Sequence, residues 1–140
     1  VMATLSSVNY RLQGGLDGLT RYWTSRGFTG KEWSQLTSAT NSIIDRAKQS
    51  GIEVAGSDSE GTALINDLQI AFNGPRGAAC EPFKLSRTAA RGFCKAEHLP
   101  YDAVVVAVLI AAEATGALTW KSDGRDEDHA SGRRLAEGNA

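Results

Sequence analysis

Apolar residues recur at helical spacing along residues 31–50, where they form one stripe with polar residues on the opposite side. Gly51 follows the last apolar position, as a glycine often does at the end of a helix. A helix over Lys31–Ser50 is therefore predicted. The shorter stretch Leu16–Gly27 shows the same spacing and predicts a helix of about three turns.

The most apolar segment of the chain is Pro100–Thr115, in which valine, alanine, leucine and isoleucine are almost continuous. Valine favours strands, but strands usually have about 5–6 residues, far fewer than this segment. Pro100 at the first helical position, Asp102 in the first turn and Gly116 just past the end are typical of a helix. We predict a central helix that is covered on more than one side.

Strands are predicted on both sides of a glycine-rich turn at residues 73–77. Apolar and polar residues alternate over Leu68–Phe72 and again over Phe83–Leu85. Shorter alternations occur at Leu118–Trp120 and Val8–Leu12. The expected fold class is α+β: a small antiparallel sheet built from the hairpin Leu68–Leu85 with Leu118–Trp120, Val8–Leu12 being a candidate additional strand. The two main helices are expected to pack on one face of this sheet.

The chain has 140 residues, of which 41% are hydrophobic and 22% charged, and this composition is that of an ordinary globular protein. One domain over residues 1–140 is predicted, with a frayed terminal helix in about the last ten residues. The predicted core contains the large apolar side chains of these elements. They are Leu19, Trp23, Trp33, Leu36, Ile43, Ile44, Leu68, Ile70, Phe72, Phe83, Leu85, Val105, Val108, Leu109 and Trp120.

The sequence shows no export signal and no apolar run long enough to span a membrane, so we expect a cytoplasmic protein without a membrane partner. The net charge of −1 gives no overall attraction to nucleic acid. One segment is nevertheless one-sided in charge, because residues 76–95 contain five basic residues opposed by Glu81 alone. The basic residues are Arg76, Lys84, Arg87, Arg91 and Lys95. Phe83 and Phe93 are interleaved with them, a pattern that favours contact with single-stranded nucleic acid.

Reactive side chains are most dense between Cys94 and Asp102. Cys94 and His98 are a candidate nucleophile and base, with Glu97 or Asp102 as the orienting group. The same residues also fit the start of a helix, where an aspartate is favoured by the helix dipole. Cys80 and Cys94 are the only cysteines, and they lack the paired spacing of a zinc site. We expect two free thiols, no metal and no cofactor.

Short motifs in the second half of the chain resemble those of small uncharacterised proteins of bacteriophage and prophage type. These motifs are Phe72-Asn73-Gly74, Cys80-Glu81-Pro82-Phe83, Phe93-Cys94-Lys95, Pro100-Tyr101-Asp102 and Ser122-Asp123-Gly124. The resemblance implies an origin in a mobile genetic element, and it implies no active-site residue.

Three classes of function follow from these observations. The first expectation is a non-enzymatic interaction module that binds another protein or a second copy of itself, because packing residues are plentiful and an assembled catalytic set is missing. The second is a nucleic-acid-binding accessory protein that uses the basic segment 76–95. The third is a small enzyme that uses Cys94 and His98.

Overall fold

A computed structural model describes residues 20–124 and 129–138 of the protein. Within these ranges the chain forms three helices and six strands. In chain order they are β1 (Thr20–Ser25), α1 (Gly30–Gln49), β2 (Leu64–Ile65), β3 (Gln69–Phe72), β4 (Phe83–Ser86), β5 (Arg91–Lys95), α2 (Asp102–Ala114), β6 (Leu118–Ser122) and α3 (Ala130–Glu137). The predicted α+β class is confirmed.

The six strands form two antiparallel sheets rather than one. One sheet has the order β2-β3-β4 and contains the predicted hairpin, in which Phe72 pairs with Phe83. The other has the order β5-β1-β6. The prediction that Leu118–Trp120 joins the hairpin sheet is therefore wrong, because β6 pairs with β1 instead. The candidate strand Val8–Leu12 lies outside the described residues.

The predicted helix over Leu16–Gly27 is wrong from Thr20 onward, where the chain forms β1. Arg21 and Trp23 are buried, whereas Tyr22 and Thr24 are exposed, and this alternation is that of a strand. Threonine and aromatic residues favour strands, and β1 gains hydrogen-bonded neighbours on both sides. These long-range pairings outweigh the helical spacing of the apolar residues. Leu19 of the predicted core precedes the described residues.

Helix α1 begins within one residue of its predicted start because Thr29 caps it. The Thr29 hydroxyl accepts a hydrogen bond from the Glu32 backbone N–H at 3.1 Å, and the Glu32 carboxylate accepts one from the Thr29 N–H at 2.9 Å. The helix buries the predicted stripe, which includes Trp33, Leu36 and Ile43. It packs against α2 and α3.

Helix α2 is central, as predicted, and its side chains from Val104 to Leu109 are all fully buried. It contacts α1, α3 and β6, so it is enclosed on several sides. Gly116, just after its C-terminus, has a left-handed φ of 91°, which a glycine adopts without strain. Within the described residues no helix is long and apolar enough to cross a membrane.

The predicted core is confirmed at most of its described positions, and Leu68 is the clear exception. Leu68 is 68% exposed. Its backbone N–H donates to Asn66 Oδ1 at 2.9 Å, so it belongs to the turn before β3 and its side chain points away from the core. Ile44 and Trp120 are partly buried and pack against the core from its edge.

Candidate nucleic-acid interface

The structure separates the five basic residues of segment 76–95. Arg91 and Lys95 lie on β5, but Lys84 lies on β4 in the other sheet. Arg76 lies in the loop between β3 and β4 and forms an exposed ion pair with Glu60. Arg87 lies between β4 and β5, and its Nε donates to the Phe28 carbonyl at 3.1 Å. The fold therefore does not bring all five basic residues into one patch.

Arg91 and Lys95 share one side of the sheet β5-β1-β6 with residues from the other two strands. We call this side the outer face. The pairing register and the burial pattern place eight residues on it: Thr20, Tyr22, Thr24, Arg91, Phe93, Lys95, Thr119 and Lys121. The alternate residues of the same strands point inward. The packing of the sheet is on its other side: β6 contacts α2, Arg21 of β1 binds Asp102, and Trp23 of β1 contacts Phe83.

Two aromatic rings lie next to each other on the outer face. Tyr22 is 42% exposed and Phe93 is 62% exposed, and the two residues are direct partners in the register of β1 and β5. The Ser25 N–H donates to the Ala90 carbonyl at 2.8 Å, which makes that pair hydrogen-bonded. Since pair types alternate, Tyr22 and Phe93 form a non-hydrogen-bonded pair, with Cα atoms about 4.5 Å apart.

Neither ring contacts another aromatic ring within the described residues. In the described part of the chain, the aromatic ring contacts join other residues, such as Trp23 with Phe83 at 5.2 Å. Exposed aromatic rings that are side by side on a sheet can each stack on a flat ligand. The outer face thus presents two adjacent aromatic residues whose rings are exposed.

The charge of this sheet has a single sign. Its three strands carry four basic residues and no acidic one, the basic residues being Arg21, Arg91, Lys95 and Lys121. Arg21 points inward, and the other three are on the outer face. Lys121 pairs in register with Tyr22, and Lys95 Nζ lies 3.6 Å from Glu97 Oε2. Within the described ranges, no ion pair involves Arg91 or Lys121.

A shallow groove of about 230 Å³ runs between β1 and β6 on the outer face. Tyr22, Thr24, Thr119 and Lys121 contribute to its walls. The hydroxyls of Thr24 and Thr119 are 3.1 Å apart and form a hydrogen bond. The groove therefore combines an aromatic ring, a cation and hydroxyl groups that can donate to phosphate or sugar oxygens.

A buried ion pair supports the sheet from the inner side. Arg21 is fully buried, and its guanidinium makes two hydrogen bonds to the Asp102 carboxylate, one of them from Nε to Oδ1 at 3.1 Å. Nη1 donates to Ser122 Oγ and to His129 Nε2, the latter at 3.2 Å. The guanidinium therefore connects β1, β6, the start of α2 and the start of α3.

Gly92 allows Trp23 to pack flat against β5. A Cβ atom at Gly92 would lie 2.5 Å from the Trp23 indole, closer than two such atoms can approach. The indole in turn contacts the Phe83 ring. The inner side of the sheet is thus closely packed directly beneath Phe93 and Tyr22, which holds the backbone that carries them.

The candidate catalytic residues have a different environment from that of a nucleophile and its base. Cys94 is fully buried, its Sγ donates to the Glu81 carbonyl at 3.6 Å, and burial raises the pKa of its thiol strongly. The Asp102 carboxylate is bound by Arg21. His98 is exposed, with a left-handed φ of 62°. His98 and Asp102 line a groove of about 200 Å³, but Cys94 does not.

Cys80 is half-buried, and burial together with the nearby Glu97 carboxylate raises the pKa of its thiol to about 11. Both cysteines are free thiols in the structure. Across the residues that the structure describes, no group of three or more His, Cys, Asp or Glu side chains is arranged to hold a metal ion. The outer face therefore remains the best candidate site, because exposed aromatic, basic and hydroxyl groups lie together on it.

No protein-family model, no curated protein and no solved structure matches the chain. The resemblance to bacteriophage-type proteins stays a prediction.

Tyr22 and Lys121, the aromatic and basic residues that β1 and β6 contribute to the outer face, are absent from the sequence-based candidates. The sequence gives no sign that Tyr22 is exposed, because Arg21-Tyr22-Trp23-Thr24 does not alternate apolar and polar residues, and the alternation of burial is seen only in the structure. Lys121 lies one residue beyond the predicted strand Leu118–Trp120. The charge count found Arg91 and Lys95 because they are near each other along the chain.

Proposed function

We propose that the protein binds single-stranded nucleic acid on the outer face. The observation that carries the proposal is the pair of exposed aromatic rings, Tyr22 and Phe93, on a face whose charged residues are all basic. Stacking of a base on an aromatic side chain contributes about 1–3 kcal/mol. Arg91 and Lys121, which form no ion pair within the described residues, border the rings and are available to phosphate groups.

The ligand is single-stranded because the rings need access to the faces of bases. In a duplex these faces are covered by the neighbouring base pairs, and only their edges are accessible in the grooves. A single strand can turn its bases toward the sheet while its phosphates follow the basic side chains. The contacts are to ring faces and phosphates, so binding should depend little on sequence.

The test is the binding of a labelled oligothymidine, followed by fluorescence anisotropy at two salt concentrations. Phe93→Ala and Tyr22→Ala should each weaken binding by about 5- to 150-fold, the equivalent of one lost stacking contact. Arg91→Ala and Lys121→Ala should each reduce the slope of log affinity against log salt by about 0.7. Lys84→Ala, which removes an exposed lysine from the other sheet, is the matched control and should change neither quantity.

The interaction module expected from the sequence is the competing hypothesis for the same surface, since an acidic peptide would meet the same positive charge. An abasic strand of equal length separates the two. Stacking requires that the abasic strand bind much more weakly than oligothymidine. Equal binding of the two strands, or no binding of oligothymidine at low salt, would rule out the proposed function and leave the interaction module.

A further inference from the structure

The two ends of the outer face differ in charge. At the end formed by Thr20 and Lys95, two carboxylates are close: Asp123 Oδ1 accepts the Thr20 N–H at 2.8 Å, and Glu97 is paired with Lys95. At the opposite end, formed by Thr24, Arg91 and Thr119, the neighbouring charged side chains include further arginines. A phosphate chain that leaves the sheet meets a lysine already paired with a carboxylate at the first end and Arg91, which has no ion pair in the described ranges, at the second, so it is attracted more strongly at the second.

Two more grooves continue from the arginine end. One, of about 270 Å³, is lined by Thr24, Thr119 and Arg26 among others, so it shares its threonines with the groove on the outer face. The next, of about 340 Å³, is lined by Arg26, Arg87 and Thr88 among others, and it shares Arg26 with the one before. The grooves are thus linked one to the next by shared wall residues, and the last of them reaches Arg87.

Arg87 is the cation on this path that is available to a phosphate. The guanidinium of Arg26 is held by the Glu32 carboxylate through hydrogen bonds of 3.1 and 2.7 Å, so its charge is neutralised. Arg87 has no carboxylate partner in the part of the chain that the structure describes. Its bond from Nε to the Phe28 carbonyl fixes the side chain and leaves its terminal nitrogens to other acceptors.

On the basis of the proposed function, we infer that the bound strand leaves the sheet across Thr24 and Thr119 and that Arg87 binds a further phosphate beyond the sheet. The site is therefore longer than the outer face, and it extends in one direction only. Arg87 contributes to the binding of long strands and not of short ones, whereas Arg91 contributes to both.

The experiment compares an oligothymidine of about four nucleotides, the lower limit of site sizes on comparable surfaces, with one of about twelve. We expect Arg87→Ala to weaken binding of the longer strand and to reduce its salt slope by about 0.7, without affecting the shorter strand. Because Arg87 also binds the Phe28 carbonyl, a second variant is needed that keeps this contact. Thr88→Glu places a negative charge in the same groove and should have the same length-dependent effect.

Arg91→Ala, which should weaken both lengths, and Lys84→Ala, which should weaken neither, are the controls. If Arg87→Ala and Thr88→Glu leave both lengths unchanged, or weaken both equally, the extension toward Arg87 is wrong while binding on the outer face stands. If the parent protein binds neither strand, the proposed function itself fails.

Discussion

Removing the carboxylate of Asp102 is the sharpest test of how the sheet is held in place. Arg21 is fully buried and Asp102 is 5% exposed, so the pair is shielded from water. In Asp102→Ala the guanidinium loses two hydrogen bonds and its counter-charge. Its remaining described partners, Ser122 and His129, are uncharged or basic groups that cannot compensate the charge.

Loss of one partner of a buried ion pair destabilises a protein by about 3–5 kcal/mol. The whole free energy of unfolding of a domain is about 5–15 kcal/mol. Asp102→Ala should therefore remove a large fraction of the stability and lower the Tm by roughly 10–20 °C. Urea denaturation followed by tryptophan fluorescence measures the free energy directly.

A double variant that replaces both partners shows whether the loss of stability comes from the unpaired charge. Apolar replacement of both partners, as in Arg21→Met with Asp102→Leu, avoids a buried unpaired charge and should restore stability to within about 1–2 kcal/mol of the parent. The restored double variant should still bind oligothymidine, because Arg21 points inward. A loss below about 1 kcal/mol in Asp102→Ala, or a double variant no more stable than the single one, would refute the reasoning.

Three further predictions concern other parts of the fold. The hydrogen bond from Arg26 lowers the pKa of Glu32 to about 2. The stabilisation from the ionised carboxylate is therefore complete above about pH 4.5 and is lost as the pH falls through about 2. Glu32→Gln should destabilise the protein at pH 7 and much less at pH 2, as measured by denaturation at both pH values. Mass spectrometry without reductant should find two free thiols, at Cys80 and Cys94. Both should be alkylated slowly at pH 8 in the folded protein, because burial raises the pKa of each thiol. A native disulfide, or fast alkylation of both thiols, would contradict this prediction. Val108→Asp would place an unpaired charge in a fully buried position and should abolish cooperative unfolding or lower the free energy of unfolding by several kcal/mol, whereas an unchanged melting curve would show that α2 is placed wrongly.

The elements that the sequence predicts well are those whose pattern is local. Helix α1 has its cap at Thr29, its apolar stripe and its final glycine within one stretch of chain. The hairpin of β3 and β4 is also local, because its two strands are joined by one turn. In each case the residues that determine the structure are near one another along the chain, so a single window contains the information.

Strand β1 could not be predicted in this way because its partners are distant. Trp23 pairs with Gly92 on one side and with Trp120 on the other, and neither residue is near it in the sequence. The apolar spacing around Trp23 fits a helix equally well, and only the formation of the sheet decides between the two structures. Strand β5 was not predicted because Gly92, its second residue, weakens the strand pattern, and its partner β1 is distant in the sequence.

The candidate site could not be fully predicted for the same reason. Arg91 and Lys95 could be found from the charge of one segment, but Tyr22 and Lys121 join them only when β1 lies between β5 and β6. The same folding separates Lys84 and Arg76 from the others, because the turn after β4 takes the chain into the second sheet. No single stretch of the sequence contains a site whose residues come from three strands, so a sequence pattern can reveal only the part of it that lies on one strand.

Inward and outward residues alternate along β5, and the two sets differ in how freely they can be substituted. Gly92 and Cys94 point inward, where the Trp23 indole excludes any larger residue at Gly92 and full burial constrains Cys94. Arg91 and Phe93, on the other side of the same backbone, are exposed and support nothing in the interior. Evolution, or a randomised library, can therefore vary Arg91 and Phe93 while Gly92 and Cys94 stay the same, so the exposed side of β5 can change without a change in the packing beneath it.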